Sequence, residues 1–436
     1  MVLCKSLALS LCLAVGVIPA VSQSVPQPAP SRTLIRAGHL LSVKTGQLLD
    51  NQTIIVVGDT IQAIEPSASV KAEPSDAVID LGKLTLLPGL IDVHTHLTFN
   101  TNFDPYYELT QTDAKEAING VVNARTTLLA GFTTVRNVGA DGFTDVDLRD
   151  AINSGQVEGP HMQVSGPLIG ITGGHCDNNL LPYKYHAVGD GVADGIPAVQ
   201  HMVRRNIKYG ADLIKICATG GVLSKGDDPQ ASQFTMAEMQ AIVADAHRLG
   251  RKVAAHAHGA QGILWATEAG VDSIEHGSYI DDAGIAAMKK HGTYLVPTLY
   301  LEDWMLQYGH LPPFYQQKMK DVSAVAKRNI KRAIRAGVKI AMGTDAAVYP
   351  HGLNAHELDV YVNQMGMAPL AALQTATINA ADLMGWTAKT GTIEPGKWAD
   401  IIGVETNPLS DIRTLEDVKF VMKAGKVYKS NGVAVE

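Results

Sequence analysis

Near both ends of the chain, hydrophobic and polar positions alternate with a period of two. Between residues 33 and 87 short runs of this kind fall at 34–38, 53–57, 60–64 and 77–80, with Gly58-Asp59 at a turn. Helical periodicity is absent there, so these runs predict short strands. From Leu87 to about Gly385 the pattern changes to strand–helix alternation. Apolar runs at 90–97, 133–138, 161–165, 213–218, 252–257, 273–276, 294–298 and 338–343 predict strands, and segments such as 113–130, 198–209, 236–249, 259–269, 282–291 and 316–336 predict helices. Residues 391–435 return to short strands, clearest at 399–404 and 418–427.

Eight strands with helices between them form the (β/α)₈ pattern, an α/β TIM barrel; spacing alone also allows a doubly wound open sheet. A β segment at each end predicts that both ends fold together into one small β-sandwich domain. The expected organisation is therefore a composite β domain from 32–87 plus 388–436 and a barrel over 88–387.

Composition changes little. The 436 residues are 46% hydrophobic and 18% charged, an ordinary globular balance. The net charge of −7, with no basic cluster, excludes a nucleic-acid partner, which needs a cationic surface. The N-terminus adds more. Lys5 precedes an almost unbroken apolar run over 6–19, and Ala20-Val21-Ser22 supplies small residues at a cleavage site. The run is shorter than the roughly 20 residues a bilayer span requires. Residues 1–22 therefore read as a signal peptide and 23–31, rich in Pro, Ser and Gln, as a disordered lead-in. The expected location is exported, periplasmic or secreted, with no membrane association after signal removal. Cys4 and Cys12 leave with the signal; Cys176 and Cys217 remain and are expected as two buried thiols.

The strongest polar signals all lie at C-terminal ends of predicted strands, where a barrel keeps its chemistry. That placement favours the barrel. His94 and His96 close the first strand, and their i, i+2 spacing turns both rings to one face. Lys215 interrupts the apolar strand Leu213-Ile214-Lys215-Ile216-Cys217, although burying an unpaired ammonium is costly. His256, His276 and Asp345 end the fifth, sixth and eighth strands. A single histidine is more often structural than a ligand. Four imidazoles, a lysine and a carboxylate at one rim form a metal-binding donor set.

The order HxH, Lys, His, His, Asp on strands one, four, five, six and eight resembles the amidohydrolase superfamily. So do the opening Leu87-Pro88-Gly89-Leu90-Ile91-Asp92-Val93-His94-Thr95-His96 and the closing Gly391-Thr392-Ile393-Glu394-Pro395-Gly396-Lys397-Trp398-Ala399-Asp400. The resemblance covers nearly everything after the predicted signal. It implies that Lys215 is carboxylated and bridges two divalent ions, which would turn an awkward buried cation into an anion. His94 and His96 would hold one ion with Asp345, and His256 and His276 the other, with zinc the expected metal. Two such ions about 3.5–4 Å apart share and acidify a hydroxide, and Asp345 would pass its proton to the leaving amine.

Within the superfamily, Gly173-Gly174-His175, Lys215-Ile216-Cys217-Ala218-Thr219-Gly220-Gly221-Val222 and Ala255-His256-Ala257-His258-Gly259 resemble prolidase-like dipeptidases and ochratoxin-hydrolysing amidases. The resemblance implies that His175 contacts the substrate carbonyl. His258 faces inward with His256; it is a candidate substrate-carboxylate contact, at a place where relatives often carry tyrosine. The expected substrate is a dipeptide or N-acyl amino acid, and a homo-oligomer is expected. Residues 299–315 read as a loop whose Tyr300, Trp304, Tyr308, Phe314 and Tyr315 would wall an apolar pocket, predicting bulky or apolar substrate groups. Two other readings remain: hydrolysis of a cyclic amide or lactone, as in imidazolonepropionase-like enzymes, and a non-catalytic binding protein on the same barrel.

Overall fold

The computed structural model describes residues 32–104 and 106–435. The predicted signal peptide and lead-in lie outside the described residues.

The alternating runs near the N-terminus form β1 (Arg32–Leu41), β2 (Leu48–Val57), β3 (Thr60–Pro66) and β4 (Ala77–Pro88). The first and fourth pair in parallel, with a register shift between Ala37 and His39. Gly38 sits at that irregularity, where a Cβ would come within 2.1 Å of the Gly82 carbonyl oxygen. Only glycine lets the two backbones approach so closely.

The barrel strands are β5 (Leu90–Thr95), β6 (Phe132–Asn137), β7 (His161–Val164), β8 (Leu213–Cys217), β9 (Lys252–Ala257), β10 (Ser273–His276) and β11 (Tyr294–Val296). They form two parallel ladders, β5-β6-β7 and β8-β9-β10-β11. Single parallel bridges join Ile169 to Ile216, Leu295 to Ile340 and Thr95 to Ala346, carrying the ring of strands round to its start. The predicted eighth strand, 338–343, has no regular ladder. It is nevertheless bonded on both sides: Ala341 N donates to Leu295 O at 3.1 Å, and Val93 N donates to Met342 O at 2.9 Å. Gly343 ends the segment where only glycine fits, because a Cβ there would lie 2.4 Å from Val296 Cγ1 and 2.6 Å from His94 Cβ. The backbone of this segment runs against its neighbours' side chains.

Helices follow the strands: α1 (Asp113–Leu129), α2 (Thr144–Asn153), α3 (Ile196–Lys208), α4 (Met236–Arg248), α5 (Ala260–Ala269), α6 (Asp282–His291), α7 (Tyr300–Tyr308), α8 (Pro313–Arg335), α9 (His356–Asp359), α10 (Pro369–Thr375) and α11 (Ile378–Met384). Thr235 starts α4 with a capping box, its hydroxyl accepting from Glu238 N while Glu238 reaches back to Thr235 N. The stretch 299–315, read from sequence as a loop, contains α7 and the start of α8. Tyr300, Trp304 and Tyr308 recur every four residues, a helical stripe that the aromatic composition obscured. Among the described residues no helix is long and apolar enough to cross a membrane.

The last strands, β12 (Ile401–Val404), β13 (Phe420–Lys423), β14 (Lys426–Ser430) and β15 (Val433–Ala434), join the first four in one sheet, ordered β15-β14-β13-β12-β4-β1-β2-β3. That sheet turns back on itself. Trp398 bridges Thr60, and Ile35, Ile54 and Ile61 share one core with Ile401, Phe420 and Met422. Both chain ends thus build one layered β unit, with two packed faces as in a sandwich.

Candidate active site

Each site residue is placed by a strand end. His94 is the penultimate residue of β5 and His96 lies just beyond it; Lys215 lies in β8, His256 in β9 and His276 at the end of β10. Asp345 follows the eighth segment. All six are buried or nearly so and border one cavity of about 520 Å³. Asp345 Oδ1 lies 3.4 Å from His94 Nε2 and 3.2 Å from His96 Nε2.

The rings are held in defined tautomers. His94 Nδ1 lies 2.8 Å from Glu275 Oε2, which only accepts, so the proton is on Nδ1 and Nε2 is free. His96 Nδ1 donates to the Gly139 carbonyl at 3.1 Å, which likewise frees Nε2. His256 is the opposite case: its Nε2 faces the Gly220 carbonyl at 3.2 Å, leaving Nδ1 as the free donor atom. His276 Nδ1 is held by Thr298 Oγ1 at 2.8 Å. Burial, reinforced by neighbouring rings, drives the His256 and His276 pKa values well below the ordinary range, so both rings are neutral. Neutral imidazole is the ligand form.

Backbone strain marks the same rim. His276 (φ 70°), Thr298 (φ 48°) and Asp345 (φ 60°) all occupy the left-handed region, which β-branched threonine rarely enters. Such conformations persist where surrounding structure enforces them, often at functional sites.

Lys215 is almost fully buried, and among the described residues no hydrogen bond or ion pair reaches its Nζ. Burial lowers its pKa to about 8, against the pull of Glu275 and Asp345. A lysine this close to its neutral form is a nucleophilic amine, suited to capture of carbon dioxide. Two clusters have donor atoms within 4.8 Å of one another, His94–His276–Asp345 and His256–His258–His276. The donor set, neutral imidazoles beside a carboxylate, fits divalent metal.

The residues beneath these candidate ligands do not stand out in the sequence. Glu275 is fully buried between His94 and the guanidinium of Arg136, whose Nη2 donates to Glu275 Oε1 at 2.8 Å. Arg136 also donates to the Val93 carbonyl at 2.6 Å and to Ser273 Oγ at 3.1 Å. Desolvation opposes ionisation of Glu275, but Arg136 and His94 outweigh it and hold the carboxyl well below its usual range. A buried acid in a strand is nevertheless as anomalous as Lys215, and the same test finds it. Asp92 accepts from Thr344 Oγ1 at 2.5 Å and Asn354 Nδ2 at 2.7 Å, tying the first barrel strand to the Asp345 turn.

His175 reaches the cavity on the loop after β7, half-buried, its ring stacked on that of His256. Its Nδ1 lies 2.8 Å from Ser224 Oγ, which lies 2.7 Å from Asp227 Oδ1. The carboxylate can only accept, so the hydroxyl donates to it and receives the His175 Nδ1 proton. Lys318 Nζ fixes the far end, donating to Asp227 Oδ1 at 2.7 Å. The ring is neutral, with burial lowering it to about 4 although Asp227 acts in the other direction. His258 borders the same cavity, its Nδ1 2.8 Å from Ser278 Oγ, and burial lowers it to about 3.

One expectation is corrected. Cys176 and Cys217 are not two free thiols but a disulfide, spanning 41 residues with Cα atoms 6.2 Å apart. The Gly-Gly-His loop carries Cys176 across the strand end that carries Cys217, a juxtaposition that sequence distance hides.

The amidohydrolase family pattern matches residues 85–428, from the last strand of the N-terminal β segment into the C-terminal one. The chain belongs to the amidohydrolase family. Ochratoxinase of Aspergillus niger is 34% identical over 429 residues, covering 92% of this chain and 87% of its own. A crystal structure of a Xaa-Pro dipeptidase with methionine bound in its active site superposes with a TM-score of 0.87 at 39% identity, covering 92% of this chain and all of the other. Imidazolonepropionase of Pseudomonas fluorescens is 23% identical, covering 87% and 94%. Membership makes the fold a TIM barrel with a β layer from both chain ends, and the activity class hydrolysis of amide bonds. The cavity over the strand ends is where this amidohydrolase presents its histidine cluster.

Proposed function

We propose that the protein is a binuclear metallo-amidohydrolase that cleaves the amide bond of dipeptides or N-acyl amino acids. The observation that carries this reading is Lys215 Nζ, buried and without a partner among the described residues, in one cavity with His94, His96, His256, His276 and Asp345. Carboxylated, Lys215 would be an anionic ligand and, with His94, His96, His256, His276 and Asp345, would hold the ions. The family's reliance on metal and the imidazole–carboxylate donors support zinc. When bound, the ions supply a water of near-neutral pKa and polarise the scissile carbonyl.

The chain's own groups do the rest. Asp345 Oδ1, between His94 and His96, takes the proton of the attacking water and returns it to the leaving amine. His175 would contact the carbonyl oxygen, and Asp227 keeps its ring oriented through Ser224. His258, held by Ser278 on the cavity wall, would receive a substrate carboxylate. Similarity to ochratoxinase and to the Xaa-Pro dipeptidase supports small peptide or amide substrates, and similarity to imidazolonepropionase supports a cyclic amide as the second reading. The apolar stretch over 6–19 and the Cys176–Cys217 disulfide support an exported, periplasmic or secreted, protein. We also propose a homo-oligomer.

The test is a panel of dipeptides, N-acyl amino acids and cyclic amides, run on purified protein with its metal content measured. Hydrolysis of the linear amides with two metals per chain is the expected result. Protein carrying two metals that hydrolyses none of them overturns the proposal.

A further inference from the structure

Two acids are buried at the start of α7. Glu302, in its first turn, lines the cavity with Met319 and Val322 of α8. Glu357, on α9, is fully buried and caps the helix from outside: its Oε1 accepts from Leu299 N at 2.9 Å and its Oε2 from Tyr300 N at 2.7 Å. These are two of the amides that a helix leaves unbonded at its N-terminal end, and a carboxylate there also complements the helix dipole. Glu357 is itself anchored. Its amide donates to the Asn354 carbonyl at 3.2 Å, and Asn354 Nδ2 donates to Asp92 Oδ2 at 2.7 Å.

Thr298, next before Leu299, is left-handed at φ 48°. A β-branched residue keeps that conformation only where its surroundings enforce it. Glu357 fixes both peptides that follow Thr298, and the turn so held places the Thr298 hydroxyl 2.8 Å from His276 Nδ1. With the Nδ1 proton given to that hydroxyl, Nε2 is the ring atom left for an ion. We infer that Glu357 is a positioning residue for the metal centre, acting through the Thr298 turn to fix the His276 ring. The inference rests on the proposed metal site and adds to it a residue that touches neither ion nor substrate. Both carboxylate oxygens are needed. A glutamine serves one amide and turns an N–H towards the other, which is then buried without an acceptor, and the turn relaxes away from His276.

The test is zinc binding to metal-free protein, measured by competition with a chromophoric chelator, with circular dichroism showing that each variant is folded. In Glu357→Gln at least one zinc dissociation constant is expected to rise by roughly tenfold to a hundredfold, as on loss of an outer partner of a ligand histidine. Thr298→Val, which deletes the hydroxyl and keeps the shape, is expected to raise the same constant. Thr298→Ser, which keeps the hydroxyl, should stay near the wild-type value. Because both losses run through one hydroxyl, Glu357→Gln/Thr298→Val should bind no worse than the weaker single variant. If Glu357→Gln does not fold, Glu357→Asp, which draws both acceptors back on a shorter stem, is read in its place. Zinc affinity unchanged by either substitution, or losses that multiply in the double variant, overturns the inference. Wild-type protein that binds two ions, with constants that no variant moves, keeps the metal centre and loses this link. One that binds a single ion, weakened alike in Glu357→Gln and Thr298→Val, keeps the link and loses the binuclear reading. One that binds no zinc loses both.

Discussion

At the scale of single residues, the site depends on buried charges that neutralise one another. Glu275 links Arg136 to the His94 ring, so Glu275→Ala leaves a buried guanidinium without its counter-ion and His94 without its acceptor. Removing one partner of such a pair costs about 3–5 kcal/mol. Denaturant unfolding of the metal-free variant is expected to show that loss, and a variant as stable as wild type would contradict it. Glu302 gives a pH-dependent signature of the opposite kind. Its folded pKa of about 8 lies above the ordinary value of 4.5. Between those values the folded protein holds a proton that the unfolded chain has released. Its contribution is therefore complete below about pH 4.5 and lost as pH rises towards 8, at about 1.4 kcal/mol per pH unit. In metal-free protein the stability of Glu302→Gln relative to wild type should rise from pH 5 to pH 8. A constant difference across that range would show that the carboxyl is not desolvated.

At the scale of elements, functional groups sit on strand ends and on loops that other elements hold down. The disulfide from Cys176 to Cys217 fastens the loop bearing His175 to the strand bearing Lys215. Closing a loop of this length stabilises a fold by about 2–4 kcal/mol. The Cys176→Ser/Cys217→Ser variant is expected to unfold at correspondingly lower denaturant and to lose kcat as the His175 loop gains freedom. Unchanged unfolding together with unchanged kcat would remove any role for the clamp. Strands were legible here because a barrel strand is buried on both faces and reads as a continuous apolar run between turn residues. Helix α7 was not, because its many aromatic residues suggested the wall of a loop and masked their four-residue spacing. Helix α2, with Asp145 and Asp147 in its first turn, was equally hidden.

At the scale of the whole molecule, the proposed metal site joins distant stretches of chain. His94, Lys215, His256, His276 and Asp345 belong to five different segments of the barrel. Ions bound only by the folded form add to its stability in proportion to the logarithm of their concentration over the dissociation constant. Chelation is therefore expected to abolish amide hydrolysis and to lower the thermal midpoint together, and zinc should restore both. Loss of activity with an unchanged midpoint would place the ions outside the ring of strands.

The sequence by itself determined the class of fold, the β layer made from both ends, and the donor set. Burial periodicity and the positions of polar residues in apolar runs are local properties of the chain. His94, His96, Lys215, His256, His276 and Asp345 were legible because each stands out against the strand that carries it. Only the tertiary structure decided what depends on proximity between segments. That includes the pairing of Cys176 with Cys217, the Arg136–Glu275–His94 chain and the Lys318–Asp227–Ser224 support of His175. It also includes the burial of Glu302 among apolar side chains from α8. A charge's partner, or the lack of one, is set by folding residues far apart in sequence to within hydrogen-bonding distance, and no local pattern encodes it.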